Sequence, residues 1–536
     1  MITMRHLLRR TPRRFISPLL LATAFLLGES PAIADPPASE ASLNWPAYNA
    51  GGSFAPALPD GLEPIDSPQQ VRKLWETDHH MGYGKMSASG AMKNAKQADV
   101  EQPFSGGVAS PIAADGKVFV TYFRPAGDVI DNTGRNRYFD LSREDLPVSM
   151  KKIDGDDVLV AFDAETGKLL WEAIEEKKGM NFMSGKRGHI GCAPAYADGR
   201  VFSMGATGRV YGYDARTGKK LWESNIGPAH EMVERIKAKS LENNRMHNVY
   251  GHTPWRGWQG GMNVLAGVLI APMYHNEGII AFDPETGDKL WSHESMLGHK
   301  AAPARWRHGG KEYALVNTKS GNVALIEPKS GKVLWSVAMG GQNTWPLTVN
   351  EDHFFANTVK VPGYGDRFEG VARWTCFKIT LDGPVRQWAL PEDEKFSLRR
   401  GAVVLDSGPG RKVVIEDGRA YLFVSPGKKI ASDAIVVADL KTGRIIQYNP
   451  LAKKWSIPVP LGDLLVAHRD VHHGPNDAGL ELFQIVDEGL SYLGATDAQH
   501  LQITAYAGVM ENPFYNGRLY TRSMKGIACY SLVKPK

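Results

Sequence analysis

The sequence is poor in cysteine, and this excludes the small secreted domains that depend on disulfides. Among 536 residues there are only 3 Cys, and they lie far apart in the chain. Cys192, Cys376 and Cys529 each fall within an apolar, strand-like stretch. We therefore expect three buried free thiols that pack as small apolar side chains; a disulfide formed in an oxidising compartment is the alternative.

The chain also lacks an uninterrupted apolar run of the ~20 residues that a transmembrane helix needs. The apolar stretch near the amino terminus, residues 16–28, is shorter than that and follows five arginines. Ala32 and Ala34 then supply the small-x-small pattern that signal peptidase accepts. These features predict a signal peptide over residues 1–34, export by the general secretory route, and a periplasmic or extracellular protein without a membrane span; a membrane anchor is the alternative.

The net charge of the chain is also small. The whole chain carries +5, from 63 Lys and Arg against 58 Asp and Glu. The predicted signal peptide contains five Arg and one Glu, so the mature chain is close to +1. No basic run with interleaved aromatic side chains remains, which argues against nucleic-acid binding. The sequence also contains no short metal-ligand spacing motif and no Cys-x-x-Cys-His haem attachment motif.

Turn-forming residues are abundant, with 56 Gly and 33 Pro placed between short apolar runs. This pattern predicts many short strands. One unit recurs along the chain: an apolar run, Asp, two variable residues, Thr-Gly, and a second run that ends in Trp. The clear copies are residues 161–171, 212–222 and 281–291, and the weaker copies are residues 325–335, 376–388 and 438–447.

Each copy is interpreted as two strands joined by a turn. Asp and Thr oxygens accept hydrogen bonds from nearby backbone N–H groups, and Gly adopts the left-handed conformation at low steric cost. The Trp has a large apolar surface, which a neighbouring unit must cover. A hairpin punctuated by Pro and Gly precedes the copies, for example at residues 110–120 and 193–202. Each unit therefore has four antiparallel strands, which is a propeller blade.

Counting the units predicts an all-β fold, an eight-bladed β-propeller over residues 71–533 that follows an extended leader at residues 35–70. Seven and nine blades are the alternatives. The seventh blade, about residues 459–493, lacks the Asp-Thr-Gly signature, and the eighth, about residues 501–532, lacks an outer strand. Residues 71–75 (VRKLW) can supply that strand, so that the two termini close the ring and remove an open edge.

Residues 161–171, 212–222 and 281–291 resemble the pyrroloquinoline-quinone (PQQ) type propeller repeat, Ala-x-Asp-x-x-Thr-Gly-x-x-x-Trp. The resemblance implies that these repeat residues are structural. Two branches share the fold: the quinoprotein alcohol dehydrogenases, which bind PQQ and calcium, and the non-catalytic scaffold typified by the outer-membrane barrel-assembly lipoprotein. Exported bacterial PQQ-like repeat proteins are also similar, and residues 44–52 resemble their Trp-Pro leader.

Two departures separate the chain from the dehydrogenase branch. The adjacent, disulfide-bonded cysteine pair of that branch has no counterpart here, and its calcium-binding Glu, Asn and Asp cannot be assigned. Calcium needs several converging oxygen ligands. The resemblance therefore places the chain closer to the non-catalytic scaffold and the PQQ-like repeat proteins. PQQ with calcium is kept as an alternative, since some relatives lack the paired cysteines.

A group of polar residues is predicted at one mouth of the central channel, because these residues precede or adjoin the innermost strands of successive blades. Side chains of His, Gln and Arg there can bind a divalent metal or an anionic substrate such as an acidic sugar. Hydrogen-bonded rim residues without a ligand are the favoured alternative. The candidates are His189, His299, Gln342, Arg399, Arg400 and His468.

Two long insertions predict functional surface, since loops carry binding residues more often than the scaffold does. Residues 124–157 interrupt the first blade with mixed charge. Residues 227–260 contain a predicted helix near residues 229–243 and then a segment rich in aromatic residues and Arg, which is typical of binding surfaces. A lid packed on the propeller is the alternative. The surface candidates are His252, Trp255, Arg256 and Trp258.

Three functional hypotheses follow. The favoured one is a monomeric, non-catalytic, exported propeller that binds or scaffolds a protein or carbohydrate ligand and has no assured cofactor. The second is a PQQ- and calcium-dependent oxidoreductase of the alcohol or sugar dehydrogenase type. The third is a metal-dependent enzyme that uses the His and Arg cluster at the channel mouth.

Overall fold

The computed structural model describes most strands of the chain and the part of the leader that contacts them. The predicted signal peptide and the predicted helix near residues 229–243 lie outside the described residues. The described residues are 44–48, 50, 58–79, 81, 109–130, 152–182, 192–205, 208–224, 260–272, 278–296, 302–318, 321–339, 347–358, 373–390, 413–424, 434–451, 456–469, 479–496, 512–523 and 526–535.

The described residues form 32 strands in eight four-stranded antiparallel sheets, which confirms the eight-bladed propeller. Blade 1 contains β2 (Ile112–Ala114), β3 (Lys117–Ile130), β4 (Lys152–Asp163) and β5 (Leu169–Phe182). Blade 2 contains β6 (Ala195–Ala197), β7 (Arg200–Met204), β8 (Val210–Asp214) and β9 (Lys220–Ser224). Blade 3 contains β10 (Asn263–Leu265), β11 (Val268–Pro272), β12 (Ile279–Phe282) and β13 (Lys289–His293). Blade 4 contains β14 (Ala304–His308), β15 (Lys311–Asn317), β16 (Asn322–Ile326) and β17 (Val333–Ala338).

The second half of the ring repeats this order. Blade 5 contains β18 (Val349–Asn350), β19 (His353–Thr358), β20 (Arg373–Lys378) and β21 (Val385–Leu390). Blade 6 contains β22 (Val413–Glu416), β23 (Arg419–Val424), β24 (Ala434–Asp439) and β25 (Ile445–Pro450). Blade 7 contains β26 (Ser456–Leu461), β27 (Leu464–Arg469), β28 (Gly479–Val486) and β29 (Gly489–Ala495). Blade 8 contains β30 (Phe514–Tyr515), β31 (Arg518–Ser523), β32 (Gly526–Ser531) and β1 (Arg72–Glu76).

The eighth blade is built from both ends of the chain, as the sequence predicts. Strand β1 pairs antiparallel with β32, and Arg72 lies opposite Ser531 while Glu76 lies opposite Ala528. The order of the sheet is β1-β32-β31-β30, so the amino-terminal strand is the outermost one. This pairing closes the ring. It covers the free edge of β32 and places a complete eighth blade against the first blade.

The Asp-x-x-Thr-Gly turns have the predicted hydrogen bonds. In blade 1, Asp163 Oδ1 accepts from the Thr166 N–H at 2.8 Å and from the Thr166 hydroxyl at 2.7 Å. Gly167 has φ 74°, which a side-chain-bearing residue adopts only with strain. In blade 2, the hydrogen bonds from Thr217 lower the pKa of Asp214, because they favour its ionised form.

The indole of each repeat Trp lies on the turn of the next blade. Trp171 donates from Nε1 to the Ala215 carbonyl at 3.2 Å, and a Cβ at Gly218 would lie only 2.6 Å from its ring. The same arrangement recurs at Trp222, Trp291, Trp335 and Trp388, whose indoles donate across to the following blade. The predicted coverage of each Trp by its neighbour is therefore confirmed.

The seam after blade 6 and the seam after blade 7 are built differently. At the Trp position of blade 6, Gln447 donates to the Leu490 carbonyl at 2.9 Å and accepts from the Leu490 N–H at 2.6 Å. The corresponding position of blade 7 is Gly494, which leaves an open space. Pro68 of a short 3-10 helix (Pro68–Gln70) fills this space, and its ring lies 3.1 Å from the point where a Cβ on Gly494 would be. The weak sequence signal of the seventh blade therefore reflects a docking residue supplied by the leader.

The ring has two distinct faces. The first strands of neighbouring blades contact one another around the axis, for example β2 with β6 and with β30. At one face, which we call the turn face, the first turn of each blade meets the Thr-Gly turn; Ala164 N donates to Gly116 O at 2.9 Å there. At the opposite loop face, each second strand ends and each third strand begins.

All three cysteines are free and buried, which confirms the prediction of packed thiols. Among the described residues, no helix is both long enough and apolar enough to cross a membrane.

Candidate functional site at the loop face

Nine of the ten sequence-predicted site residues lie outside the described residues, and their convergence stays a prediction. The strands that flank them do have defined places. Strand β5 ends at Phe182 and β6 begins at Ala195, both toward the loop face, on either side of position 189 in the chain. The undescribed candidates are His189, His299, Gln342, Arg399, Arg400, His252, Trp255, Arg256 and Trp258.

His468 is the candidate that the structure describes, and it is buried in the wall of the ring. It lies near the end of β27, opposite Ile457 and Leu480 in the sheet of blade 7, and its exposed fraction is 2%. Its ring centroid lies 6.0 Å from that of Phe514 on the innermost strand of blade 8. In this structure His468 therefore packs within the seam between blades 7 and 8.

Most buried polar side chains of the described residues lie toward the loop face. They occupy positions next to the start of a first or third strand or near the end of a second strand. By contrast, Ser531 is a buried polar residue at the turn face. Burial of a polar group costs free energy unless the group is hydrogen bonded. The concentration of buried polar side chains at one face therefore indicates that this face is organised by hydrogen bonds. The set includes Arg209, Asn263, Asn317, Thr348, His468, Glu481, Asn512 and Arg522.

Arg522 joins three separate parts of the chain at this face. Its guanidinium is fully buried and donates to the carbonyls of Met81, Ala109 and Thr121 at 3.3, 3.4 and 3.2 Å. Arg522 lies on β31 of blade 8, whereas Thr121 lies on β3 of blade 1. The sequence did not single out this residue, because a lone Arg in a strand gives no local signal of burial.

A second polar group crosses the seam between blades 8 and 1. Tyr122 Oη donates to Glu172 Oε1 at 2.5 Å, and His79 Nε2 lies 3.4 Å from the same carboxylate oxygen. Burial, and then the hydrogen bond to Glu172, raise the pKa of Tyr122 well above its ordinary value. Arg124 donates twice to Asp156 Oδ2, at 3.0 and 2.8 Å. Tyr122 is therefore a neutral donor, and Arg124 is already paired.

A third group lies between blades 1 and 2. Tyr211 donates to Asp157 and Tyr213 donates to Glu175, each at 3.2 Å, and Lys220 Nζ lies 2.7 Å from Glu175 Oε2. Burial, followed by the nearby carboxylates, raises the pKa of both tyrosines. Both tyrosines are therefore neutral hydrogen-bond donors, and their bonds to Asp157 and Glu175 join the strands of blades 1 and 2.

Among the described residues, blade 1 extends farther at the loop face than the other blades because β3 and β5 are 14 residues long, and we call this extension the projection. Residues 125–130 and 152–157 of the sequence-predicted insertion continue β3 and β4. A register shift interrupts the β4–β5 pairing between Gly155 and Asp157. On the opposite strand, Lys177 has φ 53° and its N–H donates to Asp156 Oδ1 at 2.9 Å. The buried Asp156 therefore anchors both Arg124 and the bulge, and it stiffens the base of the projection.

The described residues do not fit a calcium-bound PQQ site. Calcium needs several converging oxygen ligands, yet among the described residues no group of three His, Cys, Asp or Glu side chains has metal-binding geometry. The carboxylates of blades 1 and 2 are engaged by Arg124, Lys220 and the tyrosines instead.

Comparison with protein families gives two matches. The family described as "Outer membrane protein assembly factor BamB" matches residues 68–250 and 275–454, which is more than half of the chain. The family described as "Glucose/ethanol/alcohol dehydrogenase, beta-propeller domain" matches residues 207–314. The first match extends from β1 to β25 with a gap at residues 251–274, so it includes the outer strand of blade 8, blades 1, 2, 4, 5 and 6, and the last two strands of blade 3.

Curated relatives match over a smaller part of the chain. The dehydrogenase subunit of a quinone alcohol dehydrogenase from Acetobacter aceti is 29% identical over 162 residues, which is 29% of this chain and 19% of that protein. The corresponding subunit from Gluconacetobacter polyoxogenes is 27% identical over 166 residues, 25% of this chain and 22% of that protein. The chain thus spans about a fifth of the length of these relatives.

Solved structures with a similar fold have low sequence identity. BamB from Moraxella catarrhalis has a TM-score of 0.45 and 12% identity, covering 70% of this chain and 88% of that one. The quinohemoprotein alcohol dehydrogenase from Comamonas testosteroni has a TM-score of 0.48 and 13% identity, covering 93% of this chain and 82% of that one.

Proposed function

The chain belongs to the outer membrane protein assembly factor BamB family of β-propellers, and from that premise we propose that it is an exported, non-catalytic propeller that binds a protein ligand at its loop face. The amino-terminal segment, with its basic start, apolar stretch and small-x-small site, supports export to the periplasm or the exterior. A carbohydrate ligand is the alternative within the same function.

The observation that carries this proposal is the projection of blade 1. It is a sheet that extends from the loop face, and at its base Asp156 is 3% exposed while it holds Arg124 and the Lys177 N–H. Near the projection, Glu176 and Lys177 are exposed and carry opposite charges. A platform with exposed charges of both signs suits a polar protein surface.

Site-specific photo-crosslinking in intact cells tests the face that binds. A photoreactive residue in place of Glu176 should give discrete crosslinked adducts, because this position borders the projection at the loop face. The same residue in place of Glu165 is the matched control, since Glu165 is also exposed on blade 1 but lies in the Thr-Gly turn at the opposite face. Adducts at position 165 alone, or at neither position, would contradict the proposal.

A PQQ- and calcium-dependent oxidoreductase is the second candidate, and the partial match to quinone alcohol dehydrogenase subunits favours it. Purified mature protein should be titrated with PQQ and calcium, with absorbance and thermal stability as the two measurements. The binding proposal predicts no quinone spectrum in the protein fraction and no rise in Tm. A stoichiometric quinone spectrum with a calcium-dependent rise in Tm would establish the dehydrogenase interpretation instead.

A further inference from the structure

The leader enters the centre of the ring beside blade 1. Trp45 N donates to Ala113 O at 2.7 Å, and Ala113 N donates to Trp45 O at 3.1 Å, so Trp45 forms an antiparallel bridge with the first strand, β2. The opposite edge of β2 pairs with β3, which places Trp45 on the side of β2 that faces the axis. Asn44 accepts from the Asp115 N–H at 3.3 Å, at the turn face.

The following residues cross the axis to other blades. The Pro46 carbonyl accepts from the Tyr196 N–H of β6 at 2.7 Å. Tyr48 packs with Ala193 and Ala302, which directly precede the first strands of blades 2 and 4. Because Asn44 lies at the turn face and Tyr48 lies where first strands begin, residues 44–48 traverse the channel from one face toward the other.

The channel wall is shaped to receive the leader. A Cβ at Gly261, just before β10 of blade 3, would lie 2.4 Å from the Tyr48 Cβ. The other wall residues at this level, Ala193 and Ala302, are also small. Trp45 and Tyr48 are 0% and 1% exposed, so the wall closes around both aromatic rings. Complementary packing of this kind is as dense as a protein core.

We propose that residues 44–48 are a plug that closes the axis of the propeller, and that withdrawal of the plug opens a channel whose wall includes Ala193, Gly261, Ala302 and the thiol of Cys192. The structure supplies a natural reporter for this state. Cys192 is 2% exposed, and burial raises the pKa of its thiol to about 12. Cys192 lies in the same buried cluster as Ala47, so the thiol is near the plug. A buried thiol of this kind is inert until solvent reaches it.

Thiol labelling mapped by mass spectrometry tests the plug in the full mature chain. Tyr48→Ala removes the ring that packs the plug against Ala193 and Ala302, and we expect labelling of Cys192 to accelerate by about tenfold or more. Labelling of Cys376 should not change, because Cys376 lies in the blade 5–6 core cluster without any leader residue. Tyr48→Phe keeps the ring and should keep Cys192 protected.

A second variant leaves the leader sequence intact. Gly261→Ala places a methyl group 2.4 Å from the Tyr48 Cβ, which is too close for a non-bonded contact, so it should displace the plug and accelerate Cys192 labelling in the same way. Trp335→Ala is the control for general destabilisation, because Trp335 is 8% exposed and docks on Thr380 of blade 5, in a different cluster. We expect it to lower Tm without selective labelling of Cys192.

The plug is overturned if folded Tyr48→Ala and Gly261→Ala proteins protect Cys192 as well as the parent chain does. It is also overturned if Cys192 and Cys376 become reactive together, since that pattern reports global unfolding. Neither result depends on whether a protein ligand binds at the loop face, so this inference and the proposed function fail separately.

Discussion

At the residue scale, the contact between an indole and a glycine holds most seams of the ring. Trp388, for example, is 4% exposed, donates to the Leu440 carbonyl at 2.7 Å and lies over Gly443, where a Cβ would come within 2.6 Å of the ring. The indole combines a large apolar surface with one N–H donor, and the glycine turn offers a flat surface and a carbonyl acceptor. A wholly apolar residue would leave the carbonyl without a donor, and a smaller residue would bury less apolar surface.

Another residue-scale feature is Glu416, a carboxylate in an unfavourable position. It ends β22 of blade 6, and its Oε2 atom is buried without a hydrogen-bond partner among the described residues. Burial, and then the charges of Asp417 and Glu351, raise its pKa from 4.5 to about 7. The ionised form therefore destabilises the fold at alkaline pH.

We predict that Glu416→Gln stabilises the protein at pH 8 and has little effect at pH 5. The unfolded chain releases this proton near 4.5, whereas the folded chain retains it to about 7. The free energy of unfolding consequently falls as the pH rises through that window, and Gln removes the loss. The expected gain at pH 8 is on the order of 1–3 kcal/mol, measured by denaturant unfolding at both pH values.

Glu488→Gln is the control for this measurement, because Glu488 is an exposed carboxylate in a turn of blade 7. It should leave the difference between the two pH values unchanged. An equal gain from Glu416→Gln at pH 5 and pH 8 would show that the effect does not come from ionisation.

At the element scale, the seam between β25 of blade 6 and β29 of blade 7 replaces an indole by an amide. Gln447 both donates to and accepts from the Leu490 backbone, at 2.9 and 2.6 Å. Gly489, with φ 133°, allows this approach, because a Cβ there would lie 2.2 Å from the Gln447 Oε1 atom. Two hydrogen bonds in a partly buried seam thus substitute for apolar burial.

We predict that Gln447→Ala lowers the free energy of unfolding by about 1–3 kcal/mol, because it leaves the Leu490 N–H and C=O without their side-chain partners. Gln387→Ala is the matched control: Gln387 is also on an outer strand, β21, but it is exposed and bonds within its own strand, to Val385 O. That change should stay within about 0.5 kcal/mol. Equal losses in the two variants would refute a special role for the amide.

At the scale of the whole molecule, ring closure depends on a non-covalent pairing. Strand β1 is held to β32 by backbone hydrogen bonds, and its Trp75 packs on Gly167 of blade 1 and on Tyr520, with ring centroids 5.9 Å apart. In blades 1 to 7, the outer strand follows the third strand of its own blade directly in the chain. We therefore expect blade 8 to open locally before the other blades.

We predict that Trp75→Ala and Trp291→Ala destabilise the protein by similar amounts, about 2–4 kcal/mol, because both indoles are partly buried on a glycine turn. Their hydrogen exchange should differ. Trp75→Ala should accelerate exchange in β1 and β32, since the amino-terminal strand then detaches, whereas Trp291→Ala should accelerate exchange around blades 3 and 4. Hydrogen-exchange mass spectrometry measures this; unchanged protection of β1 in Trp75→Ala would contradict the expectation.

The sequence by itself determined the architecture of the blade and favoured eight blades, a number that the structure confirmed. Asp163, Thr166 and Gly167 act within one turn, so their hydrogen bonds and backbone conformation are local and visible as a motif. Closure by residues 71–75 was also predictable, because the eighth repeat lacked an outer strand and the amino terminus offered one. Local chemistry repeated in six units leaves few arrangements that bury every repeat Trp.

Only the tertiary structure decided what lies between the blades and along the axis. Pro68 at the position opposite Gly494, the burial of Arg522 and His468, and the passage of residues 44–48 through the channel all depend on residues far apart in the chain. A strand residue has the same local pattern whether it faces solvent or a neighbouring blade. The physical reason is that burial and pairing across a seam are set by the neighbour's shape and charge, which no local motif records.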